Sequence, residues 1–357
     1  MADAAGTGAL TRAAVAAVDR TSQLSDILAL GDHLRDALWR VESASLQSLD
    51  CSGGLVVAGM GGSAIGGALA RAALGDRASR PITLAREYGL PAWTTPETAV
   101  LCASYSGETE ETLAVYDAAS AVGAPRIVST TGGRLADGAR SDGVPVIPLP
   151  GGFQPRAAVG YSLVVALEVA ALVGAGPSLR TEIDVAAARA EQLVGEWGPD
   201  SAEDSLAKSL ARTLHGTVPQ IAGAGITAPI AYRWKTQLNE NAKYPAFAAE
   251  LPELDHNELV GWQGAPALGR FSAVFLDDTD LHPRVRERIR LTCELISGDA
   301  TACETISSVG EAPVERLVSL VLLGDLVSLY LAVLADRDPA QIDVLHRLKA
   351  ALTARDD

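Results

Sequence analysis

GLVVAGMGGSAIGGALARAAL, residues 54–74, changes character partway along. Leu55, Val56 and Val57 make a short unbroken apolar run, as expected of a strand buried on both faces. A glycine-rich turn and an alanine-rich helical run follow. Similar units come next: PITLA before REYGL (81–90), AVLCASYSGETEETLAVYDAA (99–119), and PRIVSTTGG before RLADGA (125–139). TVPQIAGAGITAPIAYRWKTQLNENAK (217–243) restarts the pattern, so a second lobe repeats the first. Alternation of this kind predicts an α/β protein with two parallel sheets, each flanked by helices in three layers.

The remaining chain fits around those units. Residues 1–50 carry apolar positions at helical spacing (Leu24, Ile27, Leu28, then Leu34, Leu38, Val41) and predict one or two helices packed on the core. The first domain is assigned to 51–176, ending with an apolar helix over Ala157–Val173. A helical connector takes 177–215, and the second domain takes 216–357, with strand candidates at Phe247 and at SAVFLDD (272–278). Leu317–Leu334 is apolar enough to raise the question of a membrane span, but Gly324 and Asp325 interrupt its centre, which favours a buried core helix. HRLKAALTA (346–354) predicts a last short helix.

Composition narrows the function. The 357 residues are 48% hydrophobic and 20% charged, which excludes a disordered chain. With 29 Lys+Arg against 44 Asp+Glu the net charge is −15, so neither nucleic acid nor an anionic membrane is an expected partner, and any anionic ligand must be captured locally. Cys51, Cys102, Cys293 and Cys303 lie in no C-x-x-C pair and read as reduced, mostly buried thiols. The N-terminus lacks a basic start followed by an apolar run, which places the protein in the cytoplasm.

Gly59-Met60-Gly61-Gly62-Ser63-Ala64 lies between strand and helix, where backbone N–H groups and the positive helix end hold an anion. The spacing also fits a G-x-G-x-x-A dinucleotide fingerprint with Glu87 as ribose acid, or simply a tight turn. Ser104-Tyr105-Ser106-Gly107-Glu108-Thr109 puts three hydroxyls at the next such junction. Together with Ser63 they offer four side-chain hydrogen bonds to a tetrahedral group, which favours a phosphate monoester over a dinucleotide. The plainer alternative is a Ser/Thr helix cap. Arg156 stands in nearly uncharged sequence and suits either a phosphate or developing oxyanion, or a structural ion pair. Glu240 and His256 fall in a stretch rich in carboxylates, and supply a carbon-acid base and a group able to move protons near neutral pH. Metal binding there is the weaker reading, because His256 stands without H-x-x-x-H spacing.

In combination these segments resemble the bifunctional phosphoglucose/phosphomannose isomerases of the sugar isomerase (SIS) fold. The resemblance rests on GMGGSAIGG (59–67), SYSGETEETL (104–113), PRAAVGYSL (155–163), WKTQLNENAKYPAF (234–247), ELDHNELVGW (253–262) and DPAQIDVLHRLK (338–349). It implies two SIS-type domains and a homodimer that shares its active site between subunits, with a sugar phosphate as substrate and no cofactor or metal. It further implies that Ser63, Ser104, Ser106 and Thr109 bind the phosphate, that Gly62 and Arg156 stabilise an enediolate, and that Glu240 is the proton-shuttling base. His256, from the partner subunit, and Lys349 would assist ring opening. The chain departs from the family's usual D-P-T-P-V segment, since Ala340 and Gln341 follow Asp338-Pro339. A hydroxyl tied to acceptance of both sugar epimers is therefore absent. Glucose 6-phosphate or mannose 6-phosphate isomerisation with fructose 6-phosphate is the expected activity. A non-catalytic SIS-type sugar-phosphate sensor is the alternative, and it would have no use for Glu240 and His256.

Overall fold

The computed structural model describes residues 8–354. Its first sheet contains β1 (Leu55–Ala58), β2 (Ile82–Ala85), β3 (Ala99–Ala103), β4 (Arg126–Thr130) and β5 (Val146–Pro148) in the order β2-β1-β3-β4-β5. The second contains β6 (Val218–Gly223), β7 (Phe247–Glu250), β8 (Phe271–Asp277) and β9 (Ala302–Ser307) in the order β7-β6-β8-β9. Every pairing is parallel, so the second lobe repeats the winding of the first. β1 and β3 are buried throughout, as parallel strands covered on both faces require.

β5 and β9 were not foreseen, because VIP is bounded and ended by proline and ACETIS mixes polar with apolar residues without an apolar run. The described part of the first fifty residues, 8–50, forms three helices rather than one or two: Arg12–Val18, Gln23–Leu28 and Leu30–Ser43. The segment after β2, Arg86–Leu90, is a turn and not a helix. Between the lobes stand two helices, Arg180–Trp197 and Leu206–Leu214.

One continuous apolar core joins the lobes, with Leu55 and Val57 of the first sheet in the same cluster as Ile221 and Val274 of the second. The helix Pro313–Leu334 runs through it, packed by the helices Arg180–Trp197, Leu206–Leu214 and Ala228–Gln237. Its central interruption has a packing explanation. A Cβ on Gly324 would lie 2.2 Å from Trp234 Nε1, and that indole donates to the Leu320 carbonyl at 2.8 Å. Asp325 accepts from Arg233 at 2.6 and 2.8 Å and from Gln237 at 2.9 Å. The long apolar helix is therefore interior, with a buried ion pair at its middle.

The cysteine expectation holds for two residues and fails for two. Cys51 and Cys102 are buried free thiols, and burial pushes Cys102 up to about 12. Cys293 and Cys303 form a disulfide. Their ten-residue spacing takes the chain from the last turn of the helix Pro283–Ile296 back into β9, which brings the two Cα atoms to 5.8 Å.

Candidate active site

In the first sheet the chain steps from β1 out to β2 and then returns to the other side of β1 as β3. The C-terminal ends of β1 and β3 thus diverge into helices on opposite faces, and the crevice between them is where open α/β sheets take ligands. The two motifs expected to hold phosphate occupy its two sides: Gly59–Ala64 follows β1 and Ser104–Thr109 follows β3.

Hydrogen bonds tie the two loops together. Tyr105 N donates to Ser63 Oγ at 3.2 Å. Ser104 Oγ lies 2.8 Å from Thr109 Oγ1 and accepts from Gly107 N at 3.1 Å, while Ser106 Oγ accepts from Glu108 N at 3.2 Å. Ser63 at the start of the helix Gly61–Leu74 is thereby joined to the loop that carries Ser104, Ser106 and Thr109. Thr109 is the N-cap residue of Glu110–Val122 but makes no side-chain cap bond, unlike the plain capping alternative. Glu108 turns away from the crevice to pair with Arg134, at 2.8 Å. Glu87, the ribose acid of the dinucleotide reading, is exposed on the turn after β2.

Gly62 allows the next contact. A Cβ there would lie 2.6 Å from the Pro155 carbonyl oxygen and 3.1 Å from Arg156 Cα, so the turn Pro155–Ala158 can press against this helix only if residue 62 is glycine. That turn delivers Arg156, which is 4% exposed and whose guanidinium is fixed by four acceptors from other parts of the chain. Nε donates to Asn241 Oδ1 at 2.8 Å and Nη1 to Glu240 Oε2 at 3.1 Å. Nη2 donates to Gln23 Oε1 at 3.2 Å and to the Pro339 carbonyl at 2.6 Å. Burial lowers the pKa of Arg156, and the nearby Glu240 carboxylate opposes that effect.

Glu240 comes from the second lobe. The helix Ala228–Gln237 ends in a π-helical turn, Leu238–Ala242, and stops at Lys243 with φ +60°. The wider turn aims Glu240 at the crevice and Asn241 into the core, where Asn241 Nδ2 donates to Ser328 Oγ at 2.9 Å. Lys243 Nζ clamps this turn to the C-terminal segment, donating to the Glu240 carbonyl at 2.6 Å and the Asp338 carbonyl at 2.8 Å. Burial lowers its pKa, with Arg156 adding to the effect. A pocket of about 110 Å³ is lined by residues of both lobes, among them Gly61, Gly62, Arg86, Arg156, Arg233 and Glu240.

Two expected residues stand apart from this group. His256 is exposed at the end of a short turn, Glu253–His256, and Lys349 is exposed on the helix Asp343–Thr353; neither lines the pocket, and Ser63, Ser104, Ser106 and Thr109 stay in the two loops outside its lining. Conversely, the sequence reading missed Gln23, Asn241, Arg233 and Asp325. Asn241 sat beside Glu240 inside a quoted motif, and Asp325 was visible as a charge in an apolar helix. Gln23 carried no local signal, since its partners are 133 and 218 residues away.

The fold and the crevice define a two-lobed SIS-type protein. In agreement, residues 203–352 match the bacterial phospho-glucose isomerase C-terminal SIS domain, and a structure of a hypothetical protein from Thermus thermophilus superposes with a TM-score of 0.75 at 15% identity, covering 97% of this chain and 93% of that one. Sequence similarity is more specific. The chain is 41% identical over 301 residues to a bifunctional phosphoglucose/phosphomannose isomerase of Caldicellulosiruptor bescii, covering 84% of this chain and 89% of that protein. It is 32% identical to the protein of the same name from Aquifex aeolicus, covering 84% and 90%. This chain belongs to the bifunctional phosphoglucose/phosphomannose isomerase family.

Proposed function

We propose that this chain interconverts glucose 6-phosphate and mannose 6-phosphate with fructose 6-phosphate through an enediol. The observation that carries the reading is the pairing of Glu240 with Arg156 at 3.1 Å, in a pocket also lined by Gly61 and Gly62. A sensor needs only the hydroxyl cradle. A carboxylate set against a fixed guanidinium is the equipment of proton abstraction next to a carbonyl.

The phosphate takes the crevice, accepting from the hydroxyls of Ser63, Ser104, Ser106 and Thr109. That places the sugar's other end towards Glu240. With the open-chain aldose bound, Glu240 removes the C2 proton, the C–H electrons become the C1–C2 double bond, and the carbonyl oxygen takes up negative charge. Arg156 meets that charge, and the Gly62 backbone N–H at the helix N-terminus adds to it. Glu240 then returns the proton to C1, while the C2 hydroxyl proton passes to the C1 oxygen, so that C1 carries the hydroxyl and C2 becomes the ketone. Electrons move only within the substrate, so the stoichiometry calls for no external oxidant or cofactor. We assign ring opening to His256, delivered by the partner subunit of a homodimer, assisted by Lys349. A cytoplasmic setting fits this substrate.

The test is a coupled assay of the purified protein on glucose 6-phosphate and mannose 6-phosphate, with fructose 6-phosphate in reverse. Turnover of both aldoses is expected, which would also show that Ala340 is tolerated. Glu240→Gln should retain sugar-phosphate binding and lower turnover by about 10²- to 10⁴-fold, the usual share of a positioned base. Binding without turnover in the unaltered protein would favour the sensor.

A further inference from the structure

Arg86 is a pocket residue that neither the sequence motifs nor the mechanism above uses. It leaves the C-terminal end of β2 in the turn Arg86–Leu90 and lines the same pocket as Arg156 and Glu240. It also lines an outer, more open cavity of about 470 Å³ formed by residues 84–87 and 89–91. It therefore stands on the threshold between solvent and the reacting groups.

Its surroundings are unusual for this chain. Despite the net charge of −15, Arg86 has no ion pair among the described residues. Its guanidinium instead lies over the ring of Tyr232, 5.6 Å from the centroid, and Tyr232 is 45% exposed at the pocket wall. An aromatic face restrains a guanidinium without using up its donors. Arg156, deeper in, is the opposite case, with every nitrogen engaged by Gln23, Glu240, Asn241 or Pro339. Arg156 thus keeps one uncommitted N–H, the second on Nη1, whereas Arg86 makes no side-chain hydrogen bond among the described residues and has all of its donors for an incoming anion.

We propose that Arg86, held on Tyr232, is the substrate-capture residue: its guanidinium binds the phosphate dianion of the sugar phosphate at the pocket mouth and orients the ester towards the hydroxyl cradle. The inference rests on the proposed isomerase reading and adds to it the residue that governs entry. On an acidic protein such a residue acts on encounter and affinity, and its effect is screened by salt. It does not touch the carbons that exchange the proton, so turnover of bound substrate does not depend on it.

The experiment is steady-state kinetics of the full chain on fructose 6-phosphate across a sodium chloride series, with calorimetric titration of the same ligand. Arg86→Gln should raise KM and the dissociation constant by about tenfold, leave kcat within about twofold, and flatten the decline of kcat/KM with salt. Tyr232→Ala should move KM in the same direction by a smaller factor. Lys235→Gln removes an equal charge from the same ring, where its Nζ lies 5.2 Å from the centroid, but Lys235 does not line the pocket and its loss should change KM less than about twofold. An unchanged KM and salt slope in Arg86→Gln, a loss confined to kcat, or an equal effect from Lys235→Gln would overturn the proposal. Calorimetry separates this from failure of the isomerase reading: if the unaltered protein binds fructose 6-phosphate without turning it over, that reading falls, and the ratio of dissociation constants still decides the role of Arg86.

Discussion

Gln23→Ala tests whether the N-terminal helices serve the reaction or only the fold. Gln23 is 1% exposed, and its side chain bridges two active-site groups: Oε1 accepts from Arg156 Nη2 at 3.2 Å, and Nε2 donates to Asn241 Oδ1 at 2.9 Å. Truncation deletes both bonds. It does not strand their partners, because Nη2 keeps the Pro339 carbonyl and Asn241 Oδ1 keeps Arg156 Nε. The cost is therefore one neutral and one charge-assisted hydrogen bond plus a small cavity, about 2–4 kcal/mol of stability. That loss should lower the midpoint of thermal unfolding by several degrees without preventing folding. The catalytic consequence is separate. With one of its four acceptors gone, the guanidinium can swing towards Pro339 and away from the enediolate. A displacement near 1 Å typically costs up to about 10²-fold in rate, so kcat should fall about 10- to 100-fold while KM for fructose 6-phosphate changes little. The assay is thermal unfolding and coupled kinetics on the same preparation. Lower stability with an unchanged kcat would reduce Gln23 to a packing residue, and a rise confined to KM would mean that Arg156 serves ground-state binding instead of the transition state.

Other expectations follow from particular contacts. If His256 reaches its site from the partner subunit, mixing Glu240→Gln with His256→Asn under exchange conditions should restore about a quarter of the sites, since half the dimers are then mixed and each has one intact site; no recovery despite proven exchange would place both groups in one chain. Gly62→Ala should lower kcat and stability together, because the new methyl would meet the Pro155 carbonyl at 2.6 Å and push the turn that carries Arg156; full activity would show that the turn can yield. Asp26 is raised to about 6 by burial, with the Asp19 carboxylate adding to it. Its folded state prefers the protonated form, so its contribution to stability is complete below about pH 4 and is lost as pH rises through about 6. After allowance for its partial exposure, Asp26→Asn should gain about 1 kcal/mol relative to the unaltered protein between pH 4 and 7. Parallel unfolding curves across that range would refute the assignment.

Much of the proposed phosphate cradle could be read from the sequence because it is local. Ser104, Ser106 and Thr109 lie within one short loop, and Gly59–Ser63 within another, each at a strand-to-helix junction recognisable from a change in apolar periodicity. Glu240 and Arg156 were also readable as charges in unusual settings. What pairs them was not, because they are 84 residues apart and meet only when the two sheets share one core.

Local sequence was enough for the parallel α/β class, the repeat of one lobe by the other, and the interior character of Leu317–Leu334, and it singled out the hydroxyl-rich loops that we propose as the anion site. These depend on periodicity, turn chemistry and charge, which act over a few residues. The contents of the inner pocket came from long-range packing. It brought Gln23 from the N-terminal helices and the Pro339 carbonyl from the C-terminal segment onto one guanidinium, left Arg86 without a carboxylate, and joined Cys293 to Cys303. The physical reason is that a buried cation must find its acceptors wherever the packed chain supplies them, and spacing along the sequence does not encode that supply.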